Sequence, residues 1–149
     1  MYSSLRGWLN GMNQLTENDL QLLSRPLYGF LTTAEGSLPP QPRPVWFEVT
    51  EAGDIQLFSA PDTARVRRLH RNPRASLVVT APVGEREQWV SVTGIATIAT
   101  DGAHAVLERL APRYWDLDDP RRAGDLAAMS REQWVRIVIH PQTVHRYAM

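Results

Sequence analysis

A chain of 149 residues, 43% hydrophobic and 21% charged, has the composition of one folded domain, and no stretch is apolar enough to span a membrane. The absence of cysteine excludes disulfides, thiolate metal sites, iron–sulfur clusters and cysteine nucleophiles. All 16 basic residues are arginine, balanced by 16 acidic ones. Any grip on phosphate is therefore made by planar, permanently charged guanidinium groups, and zero net charge argues against a nucleic-acid partner.

Residues 1–15 read as a loosely attached leader, with Met12 a candidate start, and residues 16–149 as a single domain. The leader makes a poor signal peptide, so a cytoplasmic protein is expected. Thr16 to Asp19 reads as a helix N-cap with an acidic residue three positions on, and Pro26 ends the helix whose apolar stripe is Leu20 and Leu23. Leu27 to Thr33 is a strand, followed by a turn at Glu35-Gly36. Four prolines (Pro39, Pro40, Pro42, Pro44) make the next segment an edge or a bulge. From Val45 to Thr50 the alternation of Val45, Phe47 and Val49 with Trp46 and Glu48 predicts a second strand. Ala52-Gly53-Asp54 turns the chain into a third strand, Ile55 to Ser59.

Pro61-Asp62 opens a helix with Asp62 as its cap; Val66 and Leu69 are its buried positions, and Asn72 before Pro73 ends it. Ala75 to Thr80 is a fourth strand that reads as buried on both faces. Gln88 to Thr100 is a fifth, with Gly94 marking a bulge. Asp101 caps a helix from about Ala103 to Leu110, and Pro120 begins another that ends near Met129. Trp134 to His140 is the sixth strand, with a seventh from Thr143 to Tyr147 beyond a kink at Pro141. Hairpins with helices at the corners predict a mainly β fold: a small barrel of six or seven mostly antiparallel strands.

The stretch from Ser59 to Arg74 carries the chemistry. A strand ends in a hydroxyl, a tight turn follows, and a helix starts with Thr63 and Arg65 in its first turn. Free backbone N–H groups at a helix start favour an anion. Ser59 and Thr63 supply hydroxyls and Arg65 a clamp, with Arg68 on the same side. A solvated basic helix remains the alternative from pattern alone. Trp46, Trp89, Trp115 and Trp134 are candidates to stack on a ring or close a pocket. The histidines at 70, 104, 140 and 145 lack metal spacing, so no metal site is expected. Asp116, Asp118 and Asp119 read as the turn that caps the Pro120 helix.

Pro44-Val45-Trp46-Phe47, Ile55 to Ser59, Arg65 to Leu77 with its Asn72-Pro73-Arg74, and Val90 to Ala96 occur in an order that resembles the pyridoxamine 5′-phosphate oxidase-like superfamily. The resemblance runs from Leu27 to Tyr147. It implies a split β-barrel, a homodimer with two cofactors in the groove between subunits, and FMN as cofactor. In a related branch the cofactor is the deazaflavin coenzyme F-420, and a few members bind haem or nothing. It further implies that Arg43, Pro44, Val45 and Trp46 line the ring and phosphate, that Ser59 and Ala60 end the next strand beside them, and that Arg65 replaces a phosphate-binding lysine. Trp89 stands where the oxidase has a glutamine on the flavin ring, and Ala64 where it has a second basic residue. The oxidase's C-terminal substrate signature is missing. The resemblance thus implies an oxidase-related, FMN-dependent oxidoreductase acting on a small molecule. A deazaflavin-dependent reductase, with Arg67, Arg68 and Arg71 along an acidic tail, is the alternative, followed by a non-enzymatic flavin- or haem-binding protein.

Overall fold

The computed structural model describes residues 14–34 and 38–149. Most of the predicted leader, Met12 and the Glu35-Gly36 turn lie outside them. The elements in chain order are α1 (Glu17–Leu23), β1 (Gly29–Thr33), β2 (Arg43–Val45), β3 (Glu48–Val49), β4 (Ile55–Ser59), α2 (Ala64–Arg71), β5 (Arg74–Thr80), β6 (Gln88–Ala99), α3 (Ala103–Tyr114), α4 (Pro120–Met129) and β7 (Val135–Ala148). No helix among the described residues is long and apolar enough to cross a membrane.

All seven strands form one antiparallel sheet in the order β2-β1-β5-β6-β7-β4-β3. Strands β2 and β3 stand at opposite ends of that order, yet only Trp46 and Phe47 separate them. Two residues span a few ångströms, so the sheet must curl until its edges meet at this dipeptide. The result is a split β-barrel, as the residue pattern and the resemblance predict. Its inside is filled by Leu31, Phe47, Ile55, Leu57, Leu77, Val79, Val90, Val92, Ile137 and Ile139, each at most 2% exposed.

The predicted strand from Val45 to Thr50 is thus two short strands with a break at Trp46-Phe47. The Phe47 N–H donates to the Tyr114 hydroxyl (3.3 Å) instead of to a ladder partner. Other boundaries shift for local reasons. In α1 the buried positions are Asp19, Leu22 and Leu23, while Leu20 is 40% exposed. The capping box is present as read: Thr16 Oγ1 accepts from the Asp19 N–H, and Asp19 accepts from the Thr16 N–H. The cap carboxylate also takes Arg146 of β7 at 2.9 Å, which ties the helix to the sheet. The cap of α2 is Thr63 rather than Asp62, because Thr63 has the extended backbone and its hydroxyl accepts from the Val66 N–H.

Strand β5 is buried on one face only, and Val78 points outward. Asp101 does not cap α3. Gly102 does so without a side-chain bond, at φ 79°, where a side chain would be strained and would crowd Arg136. The helix continues to Tyr114 because Pro112 falls in its last turn. Finally, β7 is one continuous strand, not two: Pro141 lies opposite Gly94, where the β6 register shifts, so the missing N–H falls at the bulge.

Candidate functional site

Where the barrel's edges meet, the end of β2, the end of β4 and the start of α2 enclose a cleft of about 240 Å³. Pro44, Val45, Trp46, Ser59, Ala60, Thr63 and Arg65 line it together. These are seven of the residues singled out from the sequence. Strand β4 ends at Ser59 because Pro61 follows within two residues and cannot extend the ladder. The chain turns, and Thr63 opens the helix. The Ala64 and Arg65 N–H groups have no acceptor among the described residues, as befits a first helical turn.

Hydroxyls and guanidinium converge at this corner. Ser59 Oγ lies 3.2 Å from Thr63 Oγ1, and both reach the Ala60 carbonyl oxygen, at 3.1 and 3.2 Å. Arg65 is half-buried and has no hydrogen-bond or carboxylate partner among the described residues. Burial, and then the like charge of Arg43, push its pKa down from the ordinary arginine value. Arg43 itself is held by the Pro42 carbonyl and the Gln41 side-chain oxygen, at 3.2 and 2.9 Å, just outside the cleft. A partly desolvated cation facing another cation is unfavourable unless an anion joins them. Hydroxyls, unbonded amides and two guanidiniums are together the kinds of group that suit an anion.

The rest of the cleft is aromatic. Phe58 and Trp134 join Trp46 in lining it. Trp46 stacks flat on Tyr114 (5.0 Å between ring centres, 1° between planes) and meets the edges of Trp115 (4.7 Å) and Phe58 (6.1 Å). Phe58 in turn meets Trp134 at 5.1 Å. Tyr114 is pinned by its hydroxyl, which donates to the Leu27 carbonyl at 2.8 Å, and burial raises its phenol pKa. Arg113 beside it donates to the Leu23 and Arg25 carbonyls, both at 2.6 Å. Tyr114, behind Trp46, is therefore held from its own hydroxyl, and its neighbour Arg113 from two carbonyls.

Two predicted residues lie elsewhere. Arg68 is half-buried on α2 but does not line the cleft. Trp89 is on the outer face of β6, where it stacks on Tyr147 at 6.2 Å and borders a shallow surface with Val78, Thr80, Ser91 and His145. Sequence reasoning did not place Phe58 in the site and left Trp134 only a candidate. Phe58 was legible in principle, as the residue before Ser59 pointing away from buried Leu57. Trp134 was legible only as one of four tryptophan candidates, of which the structure brings it and Trp46 to the cleft. Among the described residues lining the cleft there is no carboxylate and no histidine.

A family model described as pyridoxamine 5′-phosphate oxidase matches residues 15–139. No curated protein matches the chain. Among solved structures, an F420 reductase superposes with a TM-score of 0.65 and 24% identity, covering 84% of this chain and 94% of its own. A conserved Mycobacterium tuberculosis protein gives 0.68 and 18%, covering 92% of this chain and 87% of its own. An FAD-binding protein from Mesorhizobium loti gives 0.63 and 20%, covering 91% and 96%. Identities this low establish a shared fold.

Proposed function

The chain belongs to the pyridoxamine 5′-phosphate oxidase family, and from that premise we propose that it is an oxidase-related flavoprotein, an oxidoreductase that holds FMN by its phosphate at the Ser59–Arg65 corner. One observation carries the reading: half-buried Arg65, beside Arg43, has no acceptor of its own among the described residues. A phosphate dianion supplies that acceptor, and the Ala64 and Arg65 amides and the Ser59 and Thr63 hydroxyls complete its shell. The aromatic wall of Trp46, Phe58 and Trp134 suits a planar ring system. When bound, the flavin supplies the electron or hydride chemistry. The chain's part is to neutralise the phosphate, fix the ring against Trp46 and exclude water. A cleft without carboxylate or histidine accords with that division.

At about 240 Å³ the cleft falls below the roughly 300–1,000 Å³ of complete ligand sites, so one chain encloses only part of a flavin nucleotide. The missing wall is assigned to a second copy. Pro44 pairs with Phe30, Phe30 with Val78, Val78 with Ser91 and Ser91 with His145, so one row of side chains runs from the cleft across the outer face of the sheet. Phe30, Val78, Trp89 and Tyr147 are 36–46% exposed on that face. A homodimer covering it completes both clefts, and Trp89 then belongs to the contact between subunits.

A second reading is favoured by α2. Arg67 and Arg71 on that helix, and Arg74 at the start of β5, are exposed beyond Arg65, and a longer acidic tail, as in the deazaflavin coenzyme, would find cations there. The F420 reductase among the structural neighbours supports keeping it. The test is a visible spectrum of the purified protein with mass spectrometry of whatever it releases. Yellow protein that yields FMN supports the first reading. Colourless protein that binds only the deazaflavin supports the second, and failure to bind either overturns both.

A further inference from the structure

Helix α4 lies on the surface of the molecule. None of its residues is buried, and only Leu126 and Met129 are partly covered. Gly124 sits in its middle with nothing within 4 Å of where a Cβ would be. A helix of 10 residues with an internal glycine and no buried face does not persist by propensity alone. Its ends are what hold it. Asp119 accepts from the Arg121 N–H at 3.0 Å, and Ser130 Oγ donates to the Leu126 carbonyl at 2.8 Å. Beyond these caps stand two tryptophans.

Trp115, four residues before the cap, carries Arg122 of α4 on its ring face at 4.6 Å. Its own edge rests on Trp46. Trp134, just after α4, donates its indole N–H to the Met129 carbonyl at 2.8 Å and meets Phe58 edge to face. Trp46 and Phe58 both line the cleft. Each end of the α4 segment is thus fastened to a different aromatic residue of the cofactor cleft.

We propose that residues 115–134 form a strap whose docking is coupled to occupancy of the cleft. A ring seated against Trp46 and Phe58 restricts the rotamers on which Trp115 and Trp134 rest. That immobilises both fastenings of α4, and by reciprocity a docked α4 favours the occupied cleft. The ligand arm rests on the flavin reading. The fastenings themselves do not.

Hydrogen-exchange mass spectrometry on the full chain, with and without FMN, tests this. Saturating FMN slows exchange in peptides covering residues 120–129 by about fivefold or more, the lower end of ordinary coupling between sites. In the ligand-free protein, Trp115→Ala and Trp134→Ala each speed exchange of those peptides. They leave β5 and β6, which serve as the folding control, at the wild-type rate. Trp134 also lines the cleft, so each variant is measured at FMN concentrations that fluorescence shows to saturate it; bound FMN then no longer slows the helix. The strap is overturned if α4 exchange is indifferent to FMN that fluorescence shows to be bound, or if neither substitution alters it. If FMN does not bind at all, the cofactor reading fails, and the ligand-free substitutions alone decide the strap.

Discussion

Arg65 is the residue on which the proposed phosphate grip turns. Its charge is permanent, its surroundings are half dry, and the like charge of Arg43 acts on it. Arg65→Ala is expected to weaken FMN binding by about 1.5–3 kcal/mol, the range for hydrogen bonds to charged groups. That is on the order of 10- to 150-fold in Kd by fluorescence titration. Tyr114 is its counterpart in the wall. Because burial raises the phenol above its ordinary 10.0, the unfolded chain ionises first. The stability this provides is complete below about pH 10 and is lost as pH rises through the folded pKa. Tyr114→Phe should therefore flatten the alkaline fall in Tm. At neutral pH it should cost about 1–3 kcal/mol, since the Phe47 N–H loses its acceptor. Arg65 and Ser59 were readable in sequence, because a strand-end hydroxyl followed by a capped basic helix is a local pattern. Tyr114 was not, because its role comes from contacts with Leu27 and Phe47, far away along the chain.

Among the elements, those with a strong period or a strong stop were legible: β4, α2 to its end at Asn72, β6 with Gly94, and α4 with Pro120. Two of the errors share a cause, since in each a distant partner overruled a local signal. Val45 to Val49 alternates like one strand, but closing the barrel requires it to leave β1 and join β4. Pro141 looks like a strand break, but the β6 bulge opposite absorbs it. Gly94 at that bulge is expected to tolerate no side chain, because a Cβ there would collide with the His140 carbonyl oxygen, which belongs to the backbone and cannot swing aside. Gly94→Ala should cost about 1–3 kcal/mol, the usual range for overpacking, seen as a lowered urea midpoint.

For the whole molecule, curling one sheet until β2 and β3 meet places the anion corner and the aromatic wall in one cleft. It also turns Phe30, Val78, Trp89 and Tyr147 outward. Burying that face between two chains predicts a dimer in sedimentation velocity, and Val78→Asp, a charge in its middle, should shift the species to monomer. A wild-type monomer at micromolar concentration would remove the second subunit from the cleft. The fold class could be read from the sequence because hairpins and helix caps are local. The face proposed to meet a second subunit could not, because alternation marks which side chains point out but not which of them meet another chain. The most direct measurement compares FMN with riboflavin, which lacks only the phosphate, in wild-type protein and in Arg65→Ala. Wild type should bind FMN at least tenfold more tightly, by about 1.4 kcal/mol or more, and the variant should bind the two nearly alike. Equal affinities in the wild type would contradict the assignment of the Ser59–Arg65 corner to a phosphate.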